Sequence, residues 1–417
     1  MKKFLAVLLA ALTVSGVFAA PKKLVVWSFT DEMAKMIEYY KKANPDVQIE
    51  FVLVPNDVYQ SKLKPVLQSG QGTPDVFTLE AAYVKGYVDT GYMADLKPIE
   101  KFAKDTVKYT KDVTTSLDGK LRGLSWQATP GAYFYRRSIA KKYLGTDDPK
   151  AIQKMLGSPE KFVEVGKTLK AKSNGSAVLI SSLGDLFQVY KAGRKDGWVK
   201  GKRFVMDPVM VQLWKDAKNF RDLGIDGRQG QWGEGWFAGM KGALKDESGK
   251  PVEVLGYLLP TWGLHYVLKP NAGDTAGDWA MVEGPIPYFW GGTWIGAYEK
   301  SSNKALAMEF IRFMTTDEKF LEQWAKDTGD MVSNTKVVDK IKDTYKEPFL
   351  GGQNHYAEFA AMAKNVSAKV LTGYDQEIET IYQEQMDNYV TGKKDLDTAI
   401  ADFKAAVKNQ YPDLIVR

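Results

Sequence analysis

Eleven tryptophans and a scatter of carboxylates are the side chains of this sequence best equipped to hold a ligand. Trp27, Trp126, Trp232, Trp236, Trp262, Trp290 and Trp294 fall at expected strand ends or in glycine-rich turns. An indole there is large, flat and stiff, and can present a face to a bound molecule. Trp198, Trp214, Trp279 and Trp324 read as packing positions, Trp214 and Trp324 because they lie on the apolar stripes of helices. A sugar has apolar C–H faces and polar edges, so its site needs aromatic platforms beside carboxylates and amides. Rings with acids would serve a polyamine nearly as well, through cation–π contact. Paired carboxylates could also work on a glycosidic bond. Glu80, Glu234, Glu283 and Asp330 stand near aromatic or glycine-rich turns and are the candidates for that chemistry.

Other chemistries are excluded by composition and motif. The chain has no cysteine, which removes disulfides, zinc–thiolate sites, iron–sulfur clusters and a cysteine nucleophile. Only two histidines exist, His265 and His355, so a histidine-rich metal centre cannot be built. Gly166-Lys167-Thr168 lacks the glycine a phosphate loop requires five residues earlier, where Lys161 stands. No Gly-x-Ser-x-Gly elbow occurs, and Gly233-Glu234-Gly235 follows no strand pattern. No metal ligand or cofactor site is expected, and the paired carboxylates remain the one live enzymatic option.

The elements that must position these residues begin after a separate leader. Lys2 and Lys3 precede an apolar run from Phe4 to Val14, then Val17-Phe18-Ala19. That pattern predicts a secretory signal peptide over residues 1–20, too short in its apolar part to span a bilayer. No cysteine follows that could carry a lipid anchor, so a soluble periplasmic protein is expected. Loss of the two leader lysines lowers the formal charge from +6 to +4. With signs so mixed, no nucleic-acid surface is expected. At 417 residues, 44% of them hydrophobic, the chain is long enough for two or three domains with full cores.

Leu24-Val25-Val26-Trp27 reads as a buried strand, followed by a helix with Met33, Met36, Ile37 and Tyr40 on one face and Thr30 or Asp31 as its cap. Val47–Val54 alternates as a strand, a helix from Asp57 carries Tyr59, Leu63 and Leu67, and a third strand covers Val76–Leu79. This β-α-β-α-β order predicts a parallel sheet with ligand beyond the carboxyl ends of its strands. Ser28, Phe29 and Glu80 stand there. Lys120–Tyr135 reads as an extended run broken at Pro130-Gly131, which suits a chain passing between domains. Helices are expected over much of Ser138–Lys172, from Pro208 to Gly224, over Lys304–Met314 and Asp317–Lys326, and from Tyr374 to Tyr411.

Five stretches together carry a resemblance. They are Leu24–Ser28 with Asn44-Pro45-Asp46-Val47-Gln48-Ile49; Gly72-Thr73-Pro74-Asp75-Val76-Phe77; Asp118–Leu124 with the aromatic strand ending at Tyr135-Arg136; Phe237–Leu244; and Gly291-Gly292 with Ser302–Ala305, Phe310–Met314 and Thr316-Asp317-Glu318. In this order the sequence resembles the extracellular solute-binding proteins of ABC importers, of the maltose-binding-like carbohydrate group. The resemblance implies a two-lobed α/β periplasmic-binding-protein fold with a central cleft. It puts 21–126 plus 294–325 in one lobe and 131–289 plus 331–417 in the other. Hinge crossings are expected near 127–130, 290–293 and 326–330. It further implies a monomer that binds a carbohydrate, meets permease subunits transiently and is not an enzyme. Many aromatics suggest more than one sugar ring; a polyol or polyamine is the alternative ligand. Carried over position by position, the expected ligand-binding residues are Trp27, Ser28, Phe29, Glu80, Trp126, Tyr133, Trp232, Trp236, Trp262, Trp290, Gly291, Gly292, Trp294 and Asp330. Gly291 and Gly292 would let the backbone approach the ligand. His265, beside Trp262, is a lesser candidate.

Overall fold

The apolar run after the leader becomes β1 (Lys22–Ser28), paired in parallel with β2 (Val47–Leu53) on one side and β3 (Val76–Glu80) on the other. This computed structural model describes residues 22–417, so the expected leader lies outside the described residues. Helices Glu32–Ala43 and Asn56–Ser69 make the two crossovers. The first buries Met33, Met36, Ile37 and Tyr40, a helical repeat that gives it one apolar face against the sheet. Gly70, at φ +71°, closes the second in the left-handed conformation that glycine adopts without a Cβ penalty.

The remaining strands are β4 (Leu124–Ser125), β5 (Gly131–Arg136), β6 (Ala177–Ile180), the hairpin β7 (Val199–Lys200) and β8 (Arg203–Phe204), β9 (Glu253–Pro260), β10 (Trp279–Val282) and β11 (Thr293–Ala297). The first sheet has the order β2-β1-β3-β11-β4, with β11 antiparallel to both neighbours. The second has the order β10-β5-β9-β6. Along β5 and β10 successive residues alternate between two cores, while on β9 the alternation slips at Gly256, leaving Leu255 and Tyr257 on opposite sides. Ala132, Phe134, Tyr257, Leu259, Trp279 and Met281 face one core, while Tyr133, Tyr135, Leu255, Leu258, Ala280 and Val282 face the other. The second core is roofed by helices including Pro159–Lys172, Pro208–Leu223, Asp375–Val390 and Leu396–Gln410.

Backbone passages between the sheets run side by side. Gln127 bridges Val332 and Pro130 bridges Phe289, both antiparallel. The Ala128 N–H donates to Met331 O at 2.8 Å, and the Trp290 N–H to Thr129 O at 3.1 Å. The third passage begins later than the sequence suggests. Residues 326–328 still belong to the helix Glu318–Thr328, which ends at Gly329 with φ +77°. Among the described residues no helix is long and apolar enough to cross a membrane, and no cluster of three or more metal-ligating side chains forms.

Candidate ligand cleft

A cavity of about 530 Å³ opens between the two sheets. Phe29, Thr30, Asp31 and Glu32, where β1 gives way to its helix, form one wall with Asn56 and with Glu80 at the end of β3. Trp232, Trp262 and Tyr266 form the opposite wall, and Gln127 and Trp290 to Thr293, from the crossings, complete the lining. The position is the one that open parallel sheets favour, outside the carboxyl ends of their strands. No lysine or arginine is among the lining residues.

The tryptophans are built into one another. Trp232 stacks on Trp262 at 6.2 Å with 10° between their planes. Trp290 meets both edge-on, at 5.7 and 5.4 Å. Trp262 Nε1 donates to Trp290 O at 2.9 Å. That bond requires the next residue to be small. Gly291 sits at φ +71°, and a Cβ there would lie 2.8 Å from Trp262 Nε1. Rings in such contact form a continuous wall rather than a cage with a hollow.

The acids of the other wall are held in a half-dry setting. Glu80 Oε2 accepts the Ala82 N–H at 2.6 Å, and burial pushes the carboxyl above its ordinary value. Burial also raises Glu32, which accepts the Tyr266 hydroxyl across the cleft at 2.9 Å. Tyr266 lies in the one-turn π-helix Leu264–Leu268, a geometry frequent at functional sites. Behind this pair lies Asp330, buried, accepting from Trp324 Nε1 at 3.5 Å. Burial and the nearby Glu32 charge push its carboxyl up to about 7.

Of the expected residues, Phe29, Glu80, Trp232, Trp262, Trp290, Gly291 and Gly292 line the cavity. The others stand elsewhere, each for a packing reason. Trp126, Trp236 and Trp294 are fully or almost fully buried, and the Trp294 indole donates to Thr110 O at 2.7 Å inside the first core. Tyr133 points into the second core, its hydroxyl donating to Leu179 O at 2.6 Å and its ring edge-on to Phe162. Trp27 lies on the face of β1 opposite Ser28, against the core. Ser28 is buried and shapes the turn, donating to Thr30 O at 2.9 Å and accepting from Thr78 at 3.1 Å. Asp330 sits beneath the lining rather than in it. His265 packs against His355 at 5.2 Å and lies over Gly329, at the third crossing. Of the other two carboxylate candidates, Glu234 is exposed at the start of helix Glu234–Met240, and Glu283 accepts from Asn365 and lines a different depression, beside Gln153 and Met281. The sequence reading missed Asp31, Glu32, Asn56 and Tyr266. The first two follow β1 directly, so the strand-end rule already pointed to them; nothing in the sequence singled out Asn56 or Tyr266.

Two sheets, laced crossings and a ligand-sized cavity between strand ends define a two-lobed binding protein. The model of the bacterial extracellular solute-binding proteins matches residues 35–349, and the chain belongs to that family. Among solved structures it is similar to an extracellular solute-binding protein of family 1, at 18% identity, covering 92% of this chain and 98% of that one, with a TM-score of 0.82. It is also similar to the GacH receptor of Streptomyces glaucescens, described unliganded and with acarbose, at 19% identity, 95% and 100% coverage and a TM-score of 0.71. A third is the galacto-N-biose-/lacto-N-biose I-binding protein of the ABC transporter from Bifidobacterium longum, in complex with lacto-N-biose, at 17% identity, 96% and 100% coverage and a TM-score of 0.72. At these identities the likeness establishes the fold.

Proposed function

We propose that this chain is an exported, periplasmic receptor that captures a carbohydrate of more than one ring between two lobes and delivers it to the permease of an ABC importer. The observation that carries the reading is the pairing of a continuous tryptophan wall with a carboxylate and amide wall, with no cationic side chain lining the space between. The rings take the apolar faces of a sugar, and Glu80, Glu32 and Asn56 take its hydroxyls. The lobes are 21–126 plus 294–325 and 131–289 plus 331–417, turning about the crossings. Ligand favours closure because only the closed form touches it from both walls. Turnover is not part of the proposal, because the family to which the chain belongs is one of solute-binding proteins. The sugar complexes of the Streptomyces and Bifidobacterium proteins support the ligand class.

A second reading, a polyamine receptor, is favoured by three acids in the lining, Asp31, Glu32 and Glu80, with no cation among them. The deciding experiment is tryptophan fluorescence and thermal shift of the protein against mono- and oligosaccharides, polyols and polyamines. A saturable response to oligosaccharides, with the sugar recovered unchanged, is expected, because binding to the folded state raises Tm by mass action. A response to polyamines alone overturns the carbohydrate reading, and conversion of the sugar overturns the receptor reading.

A further inference from the structure

The loop from Asp226 to Gly233, which carries Trp232, is fastened to the body of the second sheet. The Gly227 N–H donates to Ile180 O at 2.9 Å and the Gln229 N–H to Ser181 O at 3.1 Å. Two of its residues are forced into the left-handed region without being glycine: Arg228 at φ +57° and Trp232 at φ +68°. A large side chain in that conformation is unusual, and it persists only where the surroundings hold it. Trp232 is 44% exposed, so burial of its own ring does not provide the hold.

The hold comes from behind. Asp185, at the start of helix Asp185–Ala192, is 2% exposed. Its Oδ1 accepts Gln231 Nε2 at 2.8 Å, and its two oxygens accept Trp236 Nε1 at 3.1 and 3.2 Å. The Trp236 ring backs Trp232 at 5.0 Å. One carboxylate therefore grips both the residue before Trp232 and the ring beneath it. Both donors are neutral, and a buried carboxylate served only by neutral donors is costly to keep. An asparagine at the same place keeps one oxygen able to accept from both donors but loses the charge and the second oxygen's contact with Trp236, so it weakens the grip without abolishing it.

We propose that Asp185 is a positioning residue of the cleft, clamping the loop so that Trp232 stands in its left-handed conformation as one panel of the tryptophan wall. The role assigned to that wall rests on the ligand reading above; the clamp itself does not. The test uses the full chain labelled with 5-fluorotryptophan and no ligand, the Trp232 line being assigned by its disappearance in Trp232→Phe. In Asp185→Ala the Trp232 line is expected to move to the position of a free indole and to gain a full solvent isotope shift. Gln231→Ala and Asp185→Asn should move it partway, while the lines of Trp294 and Trp324, which pack beside Thr110 and Phe320 in the first core, stay in place. An unmoved Trp232 line in the folded variants overturns the proposal and leaves Asp185 a packing residue. Should Asp185→Ala fail to fold, Gln231→Ala decides alone, because it spares the Trp236–Asp185 bond. A moved line with no sugar response in the panel would keep the clamp and sink the ligand reading.

Discussion

Replacing Gly291 with alanine separates two costs that this crossing combines. The first is backbone: φ +71° is open to glycine and costs an L-residue roughly 1–2 kcal/mol. The second is collision: the new Cβ would lie 2.8 Å from Trp262 Nε1, so the indole must retreat and its 2.9 Å bond to Trp290 O is lost, about 1 kcal/mol more. The expected loss is therefore about 2–3 kcal/mol. Gly249 supplies the control. It has φ +80° in a surface turn, and a Cβ there would meet nothing within 4 Å, so Gly249→Ala carries the backbone cost alone. Urea unfolding followed by far-UV ellipticity measures both losses, and near-UV ellipticity reports the tryptophan wall. Gly291→Ala should lose about 1 kcal/mol more than Gly249→Ala and alone should change the near-UV spectrum. Equal losses with an unchanged spectrum would refute the argument that Gly291 is small for the sake of Trp262.

Burial depresses the folded-state values of both histidines, His265 to about 2 and His355 to about 4, below the ordinary 6.5. The unfolded chain then takes up protons first as pH falls, so these groups remove stability below about 6.5, for His355 down to about 4. Asp185 and Asp330, raised to about 7, act in the opposite sense and gain stability as pH falls from there towards the ordinary carboxylate range. Between about pH 6.5 and 4 the denaturation midpoint of His355→Gln should rise relative to that of the parent as pH falls; parallel curves would exclude the histidine contribution. Tyr266→Phe deletes the hydroxyl bonded to Glu32 across the cleft mouth, so small-angle scattering should show a larger mean radius of gyration in the free protein. Trp214, fully buried among Tyr382, Tyr389 and Phe403, should behave as core: Trp214→Ala costs roughly 3–5 kcal/mol with ligand affinity per folded molecule unchanged.

The first sheet was legible because its signals are local. Met33, Met36, Ile37 and Tyr40 repeat at helical spacing, and the runs at Leu24 and Val76 are short and continuous, so strand, helix and strand follow without tertiary knowledge. The family and the two-lobed fold followed from several short stretches in a fixed order. The face a ring occupies is a different matter. Trp27 and Ser28 are neighbours at a strand end, yet neither side chain lines the cavity: one packs against the core, the other turns inward to Thr78. Trp232 and Trp236 are four residues apart in one turn-rich segment, but one faces the cleft and the other is sealed beneath it by Asp185. A residue's type states what it can do, and only the packing of distant elements decides whether it meets solvent. Tyr266 shows the converse, since its partner Glu32 lies far away in sequence and no local pattern joins them.

The side-by-side passages have a mechanical consequence. A single strand between two bodies can twist, slide and bend. Here Gln127 with Val332 and Pro130 with Phe289 tie three strands into a narrow ribbon. A ribbon resists shear in its own plane and yields mainly by flexing about an axis across it. In the closure proposed above, the relative motion of the two bodies would thereby be reduced to nearly one coordinate, an angle. On that proposal a ligand at Trp262 and a perturbation at Gly329 would act as two weights on the same lever, and their effects on that angle should add.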